Sequence, residues 1–259
     1  MLRVWVMKRS EILDNISVVL VETLQPGNIG SAARAMKNMG LHQLKLVSPC
    51  SISDEACQKM AVGAYDLVED AEIYDSLQMA LAGESVVVGT TSARGRSNKV
   101  RLYAPREIGP AIWEYAMSQN ISLVFGPERR GLNDKELALC QYLVSIPASI
   151  DFPTLNLSQA VLVLAYEIAT VQSANRRPRL QLATESDRKQ MFEHMEETLI
   201  QIGFLSRSNP GHIMRSIRRL LGEADLTERD IQILRGIMSQ MEWYSKEGGK
   251  MSPAEVEKP

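Results

Sequence analysis

Five short apolar runs, rich in β-branched residues, punctuate the first part of the chain: ISVVLVET at 16–23, LKLVS at 44–48, SVVVGTT at 85–91, ISLVFG at 121–126 and YLVSIP at 142–147. Each is apolar continuously rather than at alternate positions, the pattern of a strand covered on both faces. The longer segments between them carry helical spacing. This alternation predicts an α/β fold with a mostly parallel sheet flanked by helices. Ligands in such sheets bind beyond the carboxyl ends of the strands, so the loops after VLVET, VVVGTT, LVFG and VSIP are expected to converge.

The pattern changes after Ser173. The stretch ANRRPRLQLATES reads as a polar, arginine-rich linker, and no strand signal follows it. Residues 186–203, 210–221 and 228–246 read as three helices. Asn209-Pro210 is expected to cap the second, with proline at its first position, and Thr227 with Asp230 to form a capping box on the third. On the second helix Arg215, Arg218 and Arg219 share one face by spacing, with Ile213, Ile217, Leu220 and Leu221 as the buried side. On the third, Ile231, Leu234, Met238 and Met241 form a core stripe. The predicted organisation is a domain over 1–173, a linker over 174–185, a helical region over 186–246 and a disordered tail over 247–259.

Charge adds little, since 29 Lys and Arg stand against 31 Asp and Glu, and any polyanion would be held by local patches. Three cysteines with no CxxC spacing and three widely separated histidines indicate neither a disulfide framework nor a zinc site. The N-terminal MLRVWVMKRSEILDN is charged too early for a signal peptide, and no apolar stretch reaches the roughly 20 residues of a membrane span. The expectation is a soluble, reduced, cytoplasmic protein.

The converging loops carry the candidate chemistry. In ETLQPGNIGSAARAMKNMG, Gly27 and Gly30 match neither a dinucleotide fingerprint nor a P-loop, and a tight turn alone would account for them. A helix starting at Asn28 or Ser31 would place Arg34 one turn past Gly30, among small residues, where it could reach back towards a phosphate. The loop TTSARGRSNKVR bears Arg94, Arg96, Lys99 and Arg101 and no acid, which suits an RNA backbone or a solvated surface. FGPERRGLND brings Gly126, Glu128 and Gly131 into a turn before a helix capped by Asn133 or Asp134. In FPTLNLSQAVLVLAYEIA, Thr154, Asn156 and Ser158 crowd one helix mouth, yet a helix has a single N-cap.

The ordered set NIGSAARAMKNMG, VFGPERRGL and IP…TLNLSQAV resembles the three motifs of the SPOUT superfamily of RNA ribose 2'-O-methyltransferases. VLVETLQPGNIGSAARAMKNMGL, with the C-terminal GFLSRSNPGHIMRSIRRLL and DIQILRGIMSQME, is similar to its bacterial tRNA cytidine/uridine branch, and the likeness covers residues 16 to 245. The resemblance implies S-adenosylmethionine as cofactor, a homodimer, and a C-terminal trefoil knot that forms the cofactor pocket, against the general rarity of knots. Carried over by position, Thr91, Ser92, Ala93, Gly126, Ile146, Thr154, Leu155 and Asn156 would contact the cofactor. Arg34, Asn28 and Glu128 would serve catalysis; Arg94, Arg96, Arg215, Arg218 and Arg219 would bind tRNA. No metal is implied. Thr154 stands where the family commonly has serine, and ASIDFP departs from the usual Asn-Pro-Glu-Tyr at the pocket edge.

The function implied is methyl transfer to the ribose of a cytidine or uridine at nucleotide 32 of the tRNA anticodon loop. Ribosomal RNA or another tRNA nucleotide is the alternative target, and a silent RNA-binding protein the alternative class. Arg34 is the family's catalytic arginine by position. Because a guanidinium titrates above about 12, a clamp on phosphate and developing alkoxide suits it better than proton abstraction.

Overall fold

The computed structural model describes residues 8–92, 101–171, 182–206, 208–222 and 224–246. Ala93, Arg94, Arg96 and Lys99, most of the linker and the tail over 247–259 lie outside them. The chain divides into two compact units, Met1–Glu185 and Ser186–Pro259.

Among the described residues the first unit is built on seven strands: β1 (Ile16–Val21), β2 (Gln43–Val47), β3 (Glu72–Tyr74), β4 (Val86–Thr90), β5 (Leu102–Tyr103), β6 (Ile121–Phe125) and β7 (Tyr142–Val144). They form one sheet in the order β3-β2-β1-β6-β4-β7-β5, and every pair is parallel. Four of the five apolar runs are its five- and six-residue strands, and the fifth is the three-residue interior strand β7. β3 and β5 escape the sequence pattern because they are three- and two-residue edge strands, with Glu72 and Ile73 exposed.

Among the described residues eight helices accompany the sheet: α1 (Arg9–Leu13), α2 (Pro26–Asn38), α3 (Glu55–Ala61), α4 (Asp66–Glu69), α5 (Leu77–Leu81), α6 (Pro105–Ala116), α7 (Asp134–Leu137) and α8 (Leu157–Ala169). Ile16, Val18 and Leu20 of β1 join the core made with α1, α2, α6 and α8, while Val19 and Val21 join the one made with α5 and α7. Strands covered on both faces need apolar residues at both parities, hence the continuous runs. The polar exception is satisfied locally, for the buried Ser17 and Ser122 hydroxyls lie 2.8 Å apart.

α2 begins at Pro26, earlier than the predicted Asn28 or Ser31, because proline sets the helical φ and has no N–H to leave unpaired. Small residues let it pack closely on its neighbours. A Cβ on Gly30 would overlap the Cys57 carbonyl oxygen of α3 and stand 2.9 Å from the Ala61 nitrogen. Since those are backbone atoms, Gly30→Ala is expected to cost at least the 1–3 kcal/mol typical of overpacking, read as a lowered midpoint of urea unfolding.

The second unit holds α9 (Glu185–Gln201), α10 (Gly211–Gly222) and α11 (Glu228–Lys246). Glu242 ties α11 to α9, accepting from the Thr198 hydroxyl at 2.6 Å and lying 3.1 Å from His194 Nε2. Thr227 and Asp230 form the capping box, and Ile231 and Met238 are buried. Helix α10 starts one residue late, leaving Pro210 outside. Its orientation also corrects the sequence reading. Met214 is buried, Ile217, Arg218 and Leu221 are half-buried, and Ile213 and Leu220 are exposed. Arg218 therefore belongs to the inward stripe, its guanidinium carbon 4.6 Å from the Phe192 ring centroid. An arginine can bury its stem and stack its head on an aromatic face, which residue-type patterning scores as polar. Arg215 and Arg219 remain exposed.

Candidate active site

The loops after β1, β4, β6 and β7 do converge. Glu22, just past β1, has the left-handed φ of 47°. Its carboxylate accepts from Arg130 Nη2 at 2.8 Å, and Arg130 also forks onto both oxygens of Glu136 at 2.9 and 3.0 Å. This pair of anchors pins the loop after β6. The same loop doubles back tightly: a Cβ on Gly126 would overlap the Gly131 carbonyl carbon and the Leu132 nitrogen. Only glycine permits that approach.

Between these loops lies a cavity of about 330 Å³. Thr91 and Ser92 line it from just past β4, Gly126 from just past β6, and Ile146, Thr154 and Leu155 from the segment after β7. Six of the positions carried over for the cofactor are thus brought to one space. Asn156 is not in its wall, and Ala93 lies outside the described residues. Leu132, Val144 and Leu157 give the cavity an apolar side, while the Thr and Ser hydroxyls give it a polar one. Such a division fits a purine nucleoside with a polar amino-acid tail.

Asn156 caps α8, accepting from the Ser158 amide at 2.9 Å and the Ser158 hydroxyl at 2.7 Å. Its amide donates to Asn28 Oδ1 at 2.9 Å, and Asn28 donates to Glu128 Oε1 at 2.7 Å. Glu128 also accepts from the backbone amides of Leu24 and Gln25. The crowded helix mouth is thereby explained: Thr154 faces the cavity, Asn156 caps and cross-links, and Ser158 completes the cap. Asn28, Glu128 and Asn156 form one bracket joining three loops.

Burial alone would raise the Glu128 pKa, but the bonds from Asn28 and the backbone amides outweigh it, so the carboxyl titrates below its usual range. A depressed folded-state pKa stabilises the fold above the ordinary value, about 4.3, and that contribution is lost as pH falls through the lower folded value. Glu128→Gln is expected to cost about 1–2 kcal/mol at pH 7, the scale of a hydrogen-bonded charge near the surface. The gap between variant and parent should narrow below the glutamate range in denaturant titrations. A gap independent of pH would remove this role.

Arg34 stands eight residues after Pro26, which is about 12 Å along the helix axis. It is exposed, outside the cavity wall, and has no hydrogen-bonding or ion-pairing partner among the described residues. Because α2 starts at Pro26 rather than at Asn28 or Ser31, Gly30, one turn before Arg34, lies inside the helix. Arg101 of the basic loop lies 4.6 Å from the Tyr103 ring centroid. Burial raises the thiol pKa of Cys50, Cys57 and Cys140, the last to about 12, so none offers a thiolate at neutral pH. The cavity residues not singled out in the sequence include Arg129 and Leu132. Arg130 differs from Arg129 in being engaged by the nearby Glu136 and the distant Glu22.

Residues 15–166 match the model of the SpoU rRNA methylase family, and the chain belongs to that family. Residues 186–253 match the C-terminal domain of the tRNA methyltransferase TrmJ. The chain is 41% identical over 242 residues to the tRNA (cytidine/uridine-2'-O-)-methyltransferase TrmJ of Escherichia coli (strain K12), covering 91% of this chain and 98% of that protein. The like-named protein of Sodalis glossinidius (strain morsitans) is 40% identical over 246 residues, with 91% and 94% covered. Among solved structures, TrmJ from Z. mobilis ZM4 superposes with a TM-score of 0.77 at 30% identity, covering 87% of this chain and 98% of that one.

Proposed function

We propose that the chain transfers a methyl group from S-adenosylmethionine to the ribose 2'-oxygen of a cytidine or uridine in tRNA, at nucleotide 32 of the anticodon loop. The observation that carries this reading is the cavity whose walls come from the β4, β6 and β7 loops, beside a bracket that locks the loops after β6 and β7 to α2. The relatives named for this reaction match over nearly their whole length.

When bound, the cofactor supplies a methyl already activated on a sulfonium sulfur. Thr91, Ser92, Gly126, Ile146, Thr154 and Leu155 would hold this donor, whose carbon–sulfur bond would break as the ribose 2'-oxygen takes the methyl and the hydroxyl proton passes to solvent or a neighbouring acceptor. The protein has to exclude water, align the hydroxyl and stabilise developing alkoxide charge. Leu132, Val144 and Leu157 do the first. A permanently charged guanidinium does the last, and Arg34 is the candidate.

Because Arg34 does not line its own cavity, the reading assigns it to the cavity of a second subunit. Leu162 and Tyr166 of α8, which packs on α2, are exposed apolar residues available for such a contact. Sedimentation at micromolar concentration should show a dimer. Exposed Arg215 and Arg219 of α10 and the loop arginines Arg94 and Arg96 would contact the tRNA backbone. Calorimetry with S-adenosylmethionine in excess chelator should show binding. No heat, or heat only after metal is added, would overturn the cofactor assignment.

A further inference from the structure

Among the described residues around the cavity mouth are two exposed side chains that differ in kind. Phe152 is 80% exposed, directly before Pro153 and Thr154 of the cavity wall. Arg129 is in that wall, is exposed, and has no hydrogen-bonding or ion-pairing partner among the described residues. Its neighbour Arg130 is fully engaged by Glu22 and Glu136. The anchoring of Arg130 fixes the loop, and this holds Arg129 at the mouth as an available cation.

We propose that Phe152 and Arg129 form a two-part grip on the target nucleotide, its base stacked on the Phe152 ring and an adjacent phosphate paired with the Arg129 guanidinium. This rests on the functional reading above. If the cavity holds the methyl donor, the attacking ribose must lie at its mouth, within about 3–3.5 Å of the methyl carbon. The base attached to that ribose then falls at the rim, where Phe152 stands. Unpaired bases of RNA loops are commonly held by stacking on aromatic rings, and because every base presents a π-face this contact tolerates both pyrimidines. A planar guanidinium suits a phosphate through paired hydrogen bonds. Asp151 is acidic and exposed beside Phe152, so the phosphate belongs on the Arg129 side.

The test measures tRNA binding with S-adenosylhomocysteine present, and KM and kcat for transfer, on transcripts carrying either C or U at the target. Phe152→Ala should weaken tRNA binding by about 5- to 150-fold, the cost of removing a stacking aromatic, and equally for both bases. Phe152→Tyr should restore binding and Phe152→Leu should not, since leucine keeps apolar area without a π-face. Arg129→Ala should lower the slope of log affinity against log salt by about 0.7, the loss of one single-strand phosphate contact, whereas the Phe152 variants leave the slope unchanged. Cofactor affinity in the Phe152 variants, and the sedimentation coefficient in all of them, should stay as in the parent.

Unchanged tRNA affinity in Phe152→Ala would overturn the grip, as would rescue by leucine, or an altered oligomeric state that marks the ring as a contact between copies. A parent protein that binds tRNA through Phe152 but transfers no methyl would overturn the functional reading and keep the grip. One that binds no tRNA would overturn both.

Discussion

Arg34→Ala is expected to lower the single-turnover rate of methyl transfer by about 10²- to 10³-fold, the usual loss for one preorganised charge-stabilising group, while cofactor affinity stays unchanged. Arg34 is outside the cavity wall, so its removal leaves the donor site intact. Lysine should recover little, because a point charge does not reproduce a planar fork. The position on α2 adds a sharper expectation. If Arg34 serves the partner's cavity, mixing Arg34→Ala protein with a variant whose own cavity is disabled should restore transfer in the mixed dimers. One subunit then contributes an intact cavity and the other an intact arginine. No recovery after verified subunit exchange would return Arg34 to its own subunit or to the surface.

Gly126→Ala supplies that disabled cavity and is expected to weaken S-adenosylmethionine binding by at least about 100-fold, the affinity carried by some 3 kcal/mol. The added methyl would overlap the Gly131 carbonyl carbon and the Leu132 nitrogen, and neither is the free end of a flexible side chain. The loop after β6 must open, and with it the wall shared by Gly126, Arg129 and Leu132. Strand β6 is central, paired to β1 and β4, so the sheet is expected to survive. Calorimetry reads the affinity and circular dichroism the fold. Normal affinity in Gly126→Ala would show that the cofactor binds elsewhere.

Much of the sheet was legible because two-faced burial writes itself as a continuous apolar run, as in ISVVLV of β1. β3 and β5 were not, since an edge strand of two or three residues gains its order from its neighbour rather than from its own composition. The face of α10 was misjudged at Arg218, whose contact with Phe192 joins residues of separate helices. At the site, the motif order located the cavity loops. The bracket of Asn28, Glu128 and Asn156 could not be read, because its partners are 100 and 128 residues apart and each amide alone suits a cap or a turn. Nor does sequence separate Arg129 from Arg130, whose difference lies in Glu22, 108 residues away, and Glu136.

The reaction itself is tested most directly by single-turnover transfer of labelled methyl from S-adenosylmethionine to unmodified tRNA, with the product nucleoside mapped. The account predicts label recovered as 2'-O-methylcytidine or 2'-O-methyluridine from nucleotide 32. Label on a base atom, or no transfer by protein that has bound both cofactor and tRNA, would contradict it.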